Sequence, residues 1–160
     1  LEIRGTSVTT GYYRRPDVNA ETFHDGWLRT GDLAYTLDGE LVVCGRIKDV
    51  IIVGGRNVFP EDVERAVGEV EGVRAGNVIA FGVDGDRGRE TLVLVAELKA
   101  DDHDAVRKHV AERVREVTGV PAKDIVLVAP GTLPKTSSGK LQRSLCKRRY
   151  LDGQLELVGV

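Results

Sequence analysis

The chain has 160 residues, 41% of them hydrophobic and 30% charged, a length and composition that suit one ordinary domain or one domain plus a piece of another and exclude a disordered tail. Its 23 basic and 25 acidic residues leave a formal charge of −2, so the molecule as a whole has no electrostatic case for binding nucleic acid or an anionic membrane. No apolar run approaches the roughly 18 residues of a membrane span and no charged-then-apolar leader is present, which sets a cytoplasmic expectation.

In chain order, residues 1–47 read as short strands joined by turns: "LEIRG", the aromatic-rich "GYYRRPD", and "GWLRTGDLAYTLDGELVVCGR". In the last of these, Asp38-Gly39 between two apolar runs signals a hairpin, because both residues tolerate the positive φ of a tight turn. A strand over "DVIIVGG" follows. The period then changes: Val63, Ala66, Val67 and Val70 share a helical face, with Pro60 at a first helical position and Glu61 and Asp62 at its positive end, predicting a helix that stops near Gly72.

Two apolar strands, "NVIAFGV" and "TLVLVAEL", flank the turn "DGDRGRE". Ala105, Val106, Val110, Val114 and Val117 mark a second amphipathic helix, opened by Asp101, Asp102 and Asp104 and stopped at Gly119 and Pro121. A strand "DIVLVAP" leads into the loop "LPKTSSGK", after which Leu141 and Leu145, one turn apart among Gln142, Arg143, Lys147, Arg148 and Arg149, predict a terminal helix with a basic outer face. The order β, α, β, β, α, β, loop, α describes a compact α+β domain from about residue 48, a small mixed sheet with flanking helices, preceded by a β-rich segment. The opening residues lack an initiator methionine and begin in a strand without a partner, so the chain is expected to be a piece of a longer protein.

Several chemistries are excluded by spacing. "TSSGK" is no Walker loop, since Pro134 stands where glycine is needed and Leu141 where a Ser or Thr would hold magnesium. Gly82, Gly85 and Gly88 have the wrong spacing for a dinucleotide fingerprint and sit between strands. His24, His103 and His109 form no metal-binding pattern, and no metal site is expected. Cys44 and Cys146 are too few for a disulfide framework and are read as reduced and structural.

Four features remain, in fixed order: "RTGD" ending at Asp32, "GRIKD" from Gly45, "GGRNVFPEDVE" from Gly54, and "PKTSSGK" ending at Lys140. Singly, each has an ordinary explanation: a turn residue, a strand-end ion pair, a bend, a solvated lysine. As a set they resemble, over nearly the whole chain, the C-terminal part of the adenylate-forming enzymes, the superfamily of acyl-CoA synthetases, fatty acyl-AMP ligases, luciferases and nonribosomal adenylation domains. In that family a carboxylate attacks the α-phosphate of ATP, giving an acyl-adenylate and pyrophosphate, and the acyl group then usually passes to a thiol.

The resemblance implies that Lys140 is the adenylation lysine, a cation that meets two converging anions. It implies that Asp32 binds the ribose hydroxyls, that Arg46 lies near the nucleotide, that Lys48 is the hinge about which the C-terminal domain swings between adenylation and thiol transfer, and that Gly54 and Gly55 border the approach of the thiol acceptor. Residues 1–47 would then be the tail of a large N-terminal domain and 48–160 the mobile lid. The cofactor implied is ATP with Mg2+, its magnesium ligands and the acyl tunnel lying in sequence outside this chain, which alone is expected to be inert.

Arg56-Asn57, Pro60-Glu61-Asp62, Ser138-Gly139-Lys140 and Gln142-Arg143 lean toward the fatty acyl-AMP ligases, whose partners are a fatty acid and the phosphopantetheine arm of an acyl carrier protein. Gly54-Gly55 leans toward the acyl-CoA synthetases, whose acceptor is CoA. Lys147-Arg148-Arg149 would suit CoA phosphates, an acidic carrier protein, or simply a solvated helix face. A noncatalytic docking or regulatory module is the alternative of another class.

Overall fold

The computed structural model describes residues 1–85, 88–99, 102–156 and 158, in two compact units, Leu1–Lys48 and Asp49–Val160. In the first unit, β1 (Glu2–Ile3) and β2 (Phe23–His24) both pair antiparallel with β3 (Trp27–Arg29), and β4 (Asp32–Leu37) pairs with β5 (Glu40–Arg46). The hairpin turn falls where expected, with Asp38 at φ 50° and Gly39 at φ 84°.

"GYYRRPD" is not a strand. Its end opens a helix, α1 (Pro16–Thr22), with Pro16 and Asp17 in the first turn, and the side chain of Asn19 closes the preceding loop by accepting from the Tyr12 N–H at 2.7 Å and donating to the Tyr12 carbonyl at 3.0 Å. Proline's fixed φ, compatible with a first helical turn, decides this over the β preference of the two tyrosines.

The second unit opens with a further difference. "DVIIVGG" is not one strand but the first half of a hairpin, β6 (Ile51–Val53) with β7 (Arg56–Val58), because Gly54 (φ 59°) and Gly55 (φ 78°) reverse the chain. Helix α2 (Pro60–Gly68) starts at the predicted proline but ends four residues before Gly72. Beyond Gly68 the chain tightens into three-residue-spaced bonds, Glu69 N–H to Ala66 O, Val70 N–H to Val67 O and Val73 N–H to Val70 O.

The core is a three-stranded sheet in the order β10-β9-β8. Strands β8 (Val73–Asp84) and β9 (Glu90–Leu98) run antiparallel, while β10 (Asp124–Val128) joins β9 in parallel after the crossover helix α3 (His103–Thr118). Alternation along β9 splits the core: Leu92, Leu94, Ala96 and Leu98 pack with α2 and α3, whereas Val93 and Val95 pack with Phe81, Leu133 and Cys146 on the opposite face. That second face is covered by α4 (Arg143–Leu151), whose Tyr150 ring meets Phe81 edge-on at 5.6 Å.

Helix α3 is capped by the Asp102 side chain, which accepts from Ala105 N–H at 3.1 Å, and ends at left-handed Gly119. Its buried stripe is Val106, Val110 and Val114; Val117, expected on that stripe, is exposed in the last turn before Gly119. Leu141 is likewise not part of the terminal helix: it bridges Lys135 across the preceding loop, and the inward residue of α4 is Cys146. Of the expected turn and cap residues, Asp86, Arg87 and Asp101 lie outside the described residues. Among the described residues no helix is long and apolar enough to cross a membrane.

Candidate functional site

In the first unit, Asp32 and Arg46 are brought together by strand register. They are directly opposite each other at the open end of the β4–β5 hairpin, and Arg46 Nε stands 3.5 Å from Asp32 Oδ1. Thr30 Oγ1 accepts from the Asp32 N–H at 3.1 Å, and Gly31, at φ 77°, lets the chain turn into β4 with its carbonyl held by the Ile47 N–H at 2.9 Å. A half-buried carboxylate beside an exposed guanidinium offers acceptors for hydroxyls and a fixed positive charge side by side. Lys48 is exposed in the one-turn 3-10 helix Ile47–Asp49 and is the last residue of this unit.

In the second unit, Lys140 ends a loop that closes on itself. The Thr136 N–H donates to the Lys140 carbonyl at 2.8 Å, the Lys140 N–H to Thr136 Oγ1 at 3.0 Å, and the Gly139 N–H to the Thr136 carbonyl at 2.9 Å, with Gly139 at φ 83°. The Lys135–Leu141 bridge and the Gln142 N–H to Pro134 O bond, at 2.9 Å, seal its base. Residues 135–140 are all exposed, so a preformed loop presents the ammonium to solvent on a four-carbon stem. Gly54 and Gly55 border a separate open hollow with Ile52, Gly88, Arg89 and Glu90, and a Cβ at either glycine would meet nothing within 4 Å.

Two side chains that sequence reasoning passed over anchor the lysine loop. Arg143, expected on a basic outer face, instead faces inward. Its guanidinium reaches Asp49 at 2.8 Å, Glu64 at 3.0 Å and Glu61 at 3.3 Å, and its Nε donates to the Ala80 carbonyl at 3.0 Å. Burial works against the Arg143 charge, but Glu64, Glu61 and Asp49 hold its pKa above the ordinary value; burial pushes the Glu64 carboxyl up against the pull of Arg143. Three guanidinium bonds and the Ala80 N–H at 2.8 Å all favour the Glu64 anion against that burial.

Glu97, on the central strand, is the other. It is wholly buried, accepts from the Leu133 N–H at 3.0 Å and from Arg74 at 2.8 Å, and opens the route by which β10 leaves the sheet for the loop. Burial alone would raise its pKa, yet the backbone at Gly131 and Leu133, with Arg74, holds it below the usual carboxylate value. Cys146, by contrast, is buried and pushed up to about 12 chiefly by that burial, which makes it a packing residue and not a nucleophile.

Residues 55–148 match the AMP-binding enzyme C-terminal domain. The chain belongs to this family. The match takes in Lys140, Gly55 and the whole Arg143 cluster except Asp49, and leaves Asp32, Arg46, Lys48 and Gly54 before its start. Beyond the AMP-binding C-terminal domain itself, 90% or more of the chain is similar to curated relatives. A Caulobacter vibrioides protein bearing the name of an acyl-CoA synthetase is 44% identical, over 94% of this chain and 27% of its own length. The long-chain-fatty-acid–AMP ligase FadD28 of Mycobacterium tuberculosis is 36% identical, over 95% of this chain and 29% of its own.

The solved structure of McyG A-PCP complexed with phenylalanyl-adenylate superposes with a TM-score of 0.84 at 34% identity, over 95% of this chain and 24% of that one. The small mixed α+β architecture is thus that of adenylate-forming C-terminal domains. The chain spans little more than a quarter of the length of the curated relatives it matches.

Proposed function

We propose that this chain is the C-terminal portion of an acid-activating ligase that joins a fatty acid to AMP and hands the acyl group to the phosphopantetheine thiol of an acyl carrier protein. Residues 1–47 close a large N-terminal domain and 48–160 form the lid, with Lys48 as the hinge. The observation that carries this reading is the exposed Lys140 on a self-closed loop rooted in a rigid core.

In the first step a carboxylate oxygen forms a bond to the α-phosphorus, the bond from that phosphorus to the bridging oxygen breaks, and the electron pair leaves with pyrophosphate. Both reactants are anions. Lys140, reaching the attacking carboxylate and the phosphate oxygens together, lowers the barrier by neutralising charge that converges only in the transition state. Asp32 accepts the ribose hydroxyls and Arg46 fixes the nucleotide beside it.

The residues present suit the nucleotide's ribose and phosphate. No cluster of three ligands that could hold a metal ion occurs among the described residues, so Mg2+ would be held by the rest of the protein, where it would shield the phosphates. In the second step the thiol attacks the acyl carbon and AMP leaves. The exposed Arg148 and its half-buried neighbours Lys147 and Arg149 give an acidic carrier protein a basic face to dock on.

The Gly54-Gly55 turn favours a second reading, an acyl-CoA synthetase, since its open hollow with Arg89 would admit a pantetheine arm whose phosphates are part of a free cofactor. The full-length protein, given ATP, a panel of fatty acids and either CoA or a carrier protein, separates the two. Acyl-adenylate that persists with CoA and discharges onto the carrier supports the AMP-ligase reading. Rapid acyl-CoA formation overturns it in favour of the synthetase.

A further inference from the structure

Strand β9 (Glu90–Leu98) runs through the centre of the sheet, and its buried stretch from Leu92 to Leu98 is apolar on both faces except at Glu97. A carboxylate at 0% exposure in such a strand is costly unless charge and hydrogen bonds compensate it. Compensation comes from the backbone at Gly131 and Leu133, in the segment leading to the lysine loop, and from Arg74 on β8.

Glu97 lies opposite Val128 in the parallel register, at the point where β10 ends and the chain turns toward Lys140. One oxygen accepts from the Leu133 N–H; the other accepts from Arg74. Arg74 sits in the irregular stretch of β8 where the register shifts between Val73 and Val78, with Gly76 at φ 71°. The same stretch presents buried Asn77, whose Oδ1 accepts from Lys135 Nζ at 2.6 Å and whose Nδ2 is oriented by the Ala75 carbonyl at 3.0 Å. The irregular stretch thus holds the loop at two successive points, Leu133 through Glu97 and Lys135 directly, and five residues later the loop ends in Lys140.

We infer that Glu97 is a positioning residue for the adenylation step: with Arg74 and Asn77 it fixes the backbone entering the Lys140 loop, and so sets where the ammonium lies when the lid closes. Glu97 touches neither nucleotide nor acid. An apolar residue would fill its volume in the sheet but would leave the Leu133 N–H buried and unmet and Arg74 without its anchor. This inference rests on the proposed role of Lys140.

The test uses the full-length protein and measures the two half-reactions separately: pyrophosphate release from ATP and a fatty acid, and acyl transfer from supplied acyl-adenylate to the thiol acceptor. Glu97→Gln keeps an acceptor for Leu133 but loses the charge that holds Arg74; Glu97→Leu loses both; Arg74→Gln, at a partly exposed position, is the variant that folds if the others do not. We expect adenylation kcat to fall in the order Leu more than Gln, by about tenfold or more for a misplaced loop, with KM for ATP little changed and transfer from supplied adenylate retained. Equal losses in both half-reactions accompanied by a lowered Tm, or wild-type adenylation in Glu97→Gln and Arg74→Gln, would overturn it. Lys140→Ala, run alongside, separates this failure from failure of the underlying reading: if it adenylates normally, the role of Lys140 falls and the inference with it.

Discussion

The two units of the chain carry charged candidates in opposite ways. In Leu1–Lys48 no side chain is buried, and Asp32 and Arg46 are placed by hairpin register alone; among the described residues every buried hydrophobic side chain lies at or beyond Ile51, where Lys140 is rooted in a sheet packed on both faces. The first unit's candidate pair therefore draws its precision from backbone hydrogen bonds, the second unit's lysine from a core, the buried Glu97 and the partly buried Arg143 cluster. Damage to packing should be severe in one and mild in the other.

The largest effect is expected at Arg143. Removing it as Arg143→Ala leaves Asp49, Glu61 and Glu64 facing one another, and a partly buried ion cluster that loses its central cation is expected to cost about 3 kcal/mol in denaturant unfolding, the lower end for buried pairs because solvent reaches Glu61. Arg143→Lys should restore little of that, because a point charge cannot serve three carboxylates and the Ala80 carbonyl at once. A loss below about 1 kcal/mol would mean that the cluster is solvated and not structural.

Next is the core contrast itself. Leu94→Ala, in the central strand, should cost about 2–5 kcal/mol, whereas Leu41→Ala, exposed on β5, should stay within about 0.5 kcal/mol. Comparable losses at the two positions would break the distinction between the units.

Acid should then act on the second unit through Glu97. Its folded pKa is depressed, so its contribution to stability is complete above the ordinary carboxylate range and is lost as pH falls through the lower folded value. Unfolding monitored across that acid range should show a pH slope that is smaller in Glu97→Gln; an unchanged slope would show that the carboxylate is not held as described. The smallest loss expected in the second unit is at the α3 cap, where Asp102→Ala should cost about 1 kcal/mol by removing the bond to Ala105 N–H.

How much of this was visible in the sequence depends on how local the signal is. Asp38-Gly39, Pro60 and Gly119 act within a turn of chain, and their elements stand where the residues placed them, as does the valine stripe of α3 up to Val114. The β6–β7 hairpin did not show, because two three-residue strands are too short for alternation to register beside Gly54-Gly55. Helix α1 buries no residue and so has no apolar period to read.

The anchors of the lysine loop were hidden for a different reason. Arg143 meets Asp49 across 94 positions and Glu64 across 79, and Glu97 meets Leu133 across 36, so nothing near any of them in the chain distinguishes a buried ion pair from a solvated charge. The one available hint was Glu97 itself, a lone carboxylate in an otherwise apolar run. Lys140, Asp32 and Arg46 stood out as parts of ordered motifs, and the structure adds their surroundings: a closed loop for the first and facing register positions for the other two.

The central claim is that Lys140 promotes attack of a carboxylate on the α-phosphate of ATP. The most direct measurement is pyrophosphate exchange into ATP, dependent on a fatty acid, in the full-length protein and its Lys140→Ala variant. The account predicts that exchange falls by about a hundredfold or more in the variant, the loss expected when a transition-state charge loses its fixed partner. Exchange at the wild-type rate would contradict it.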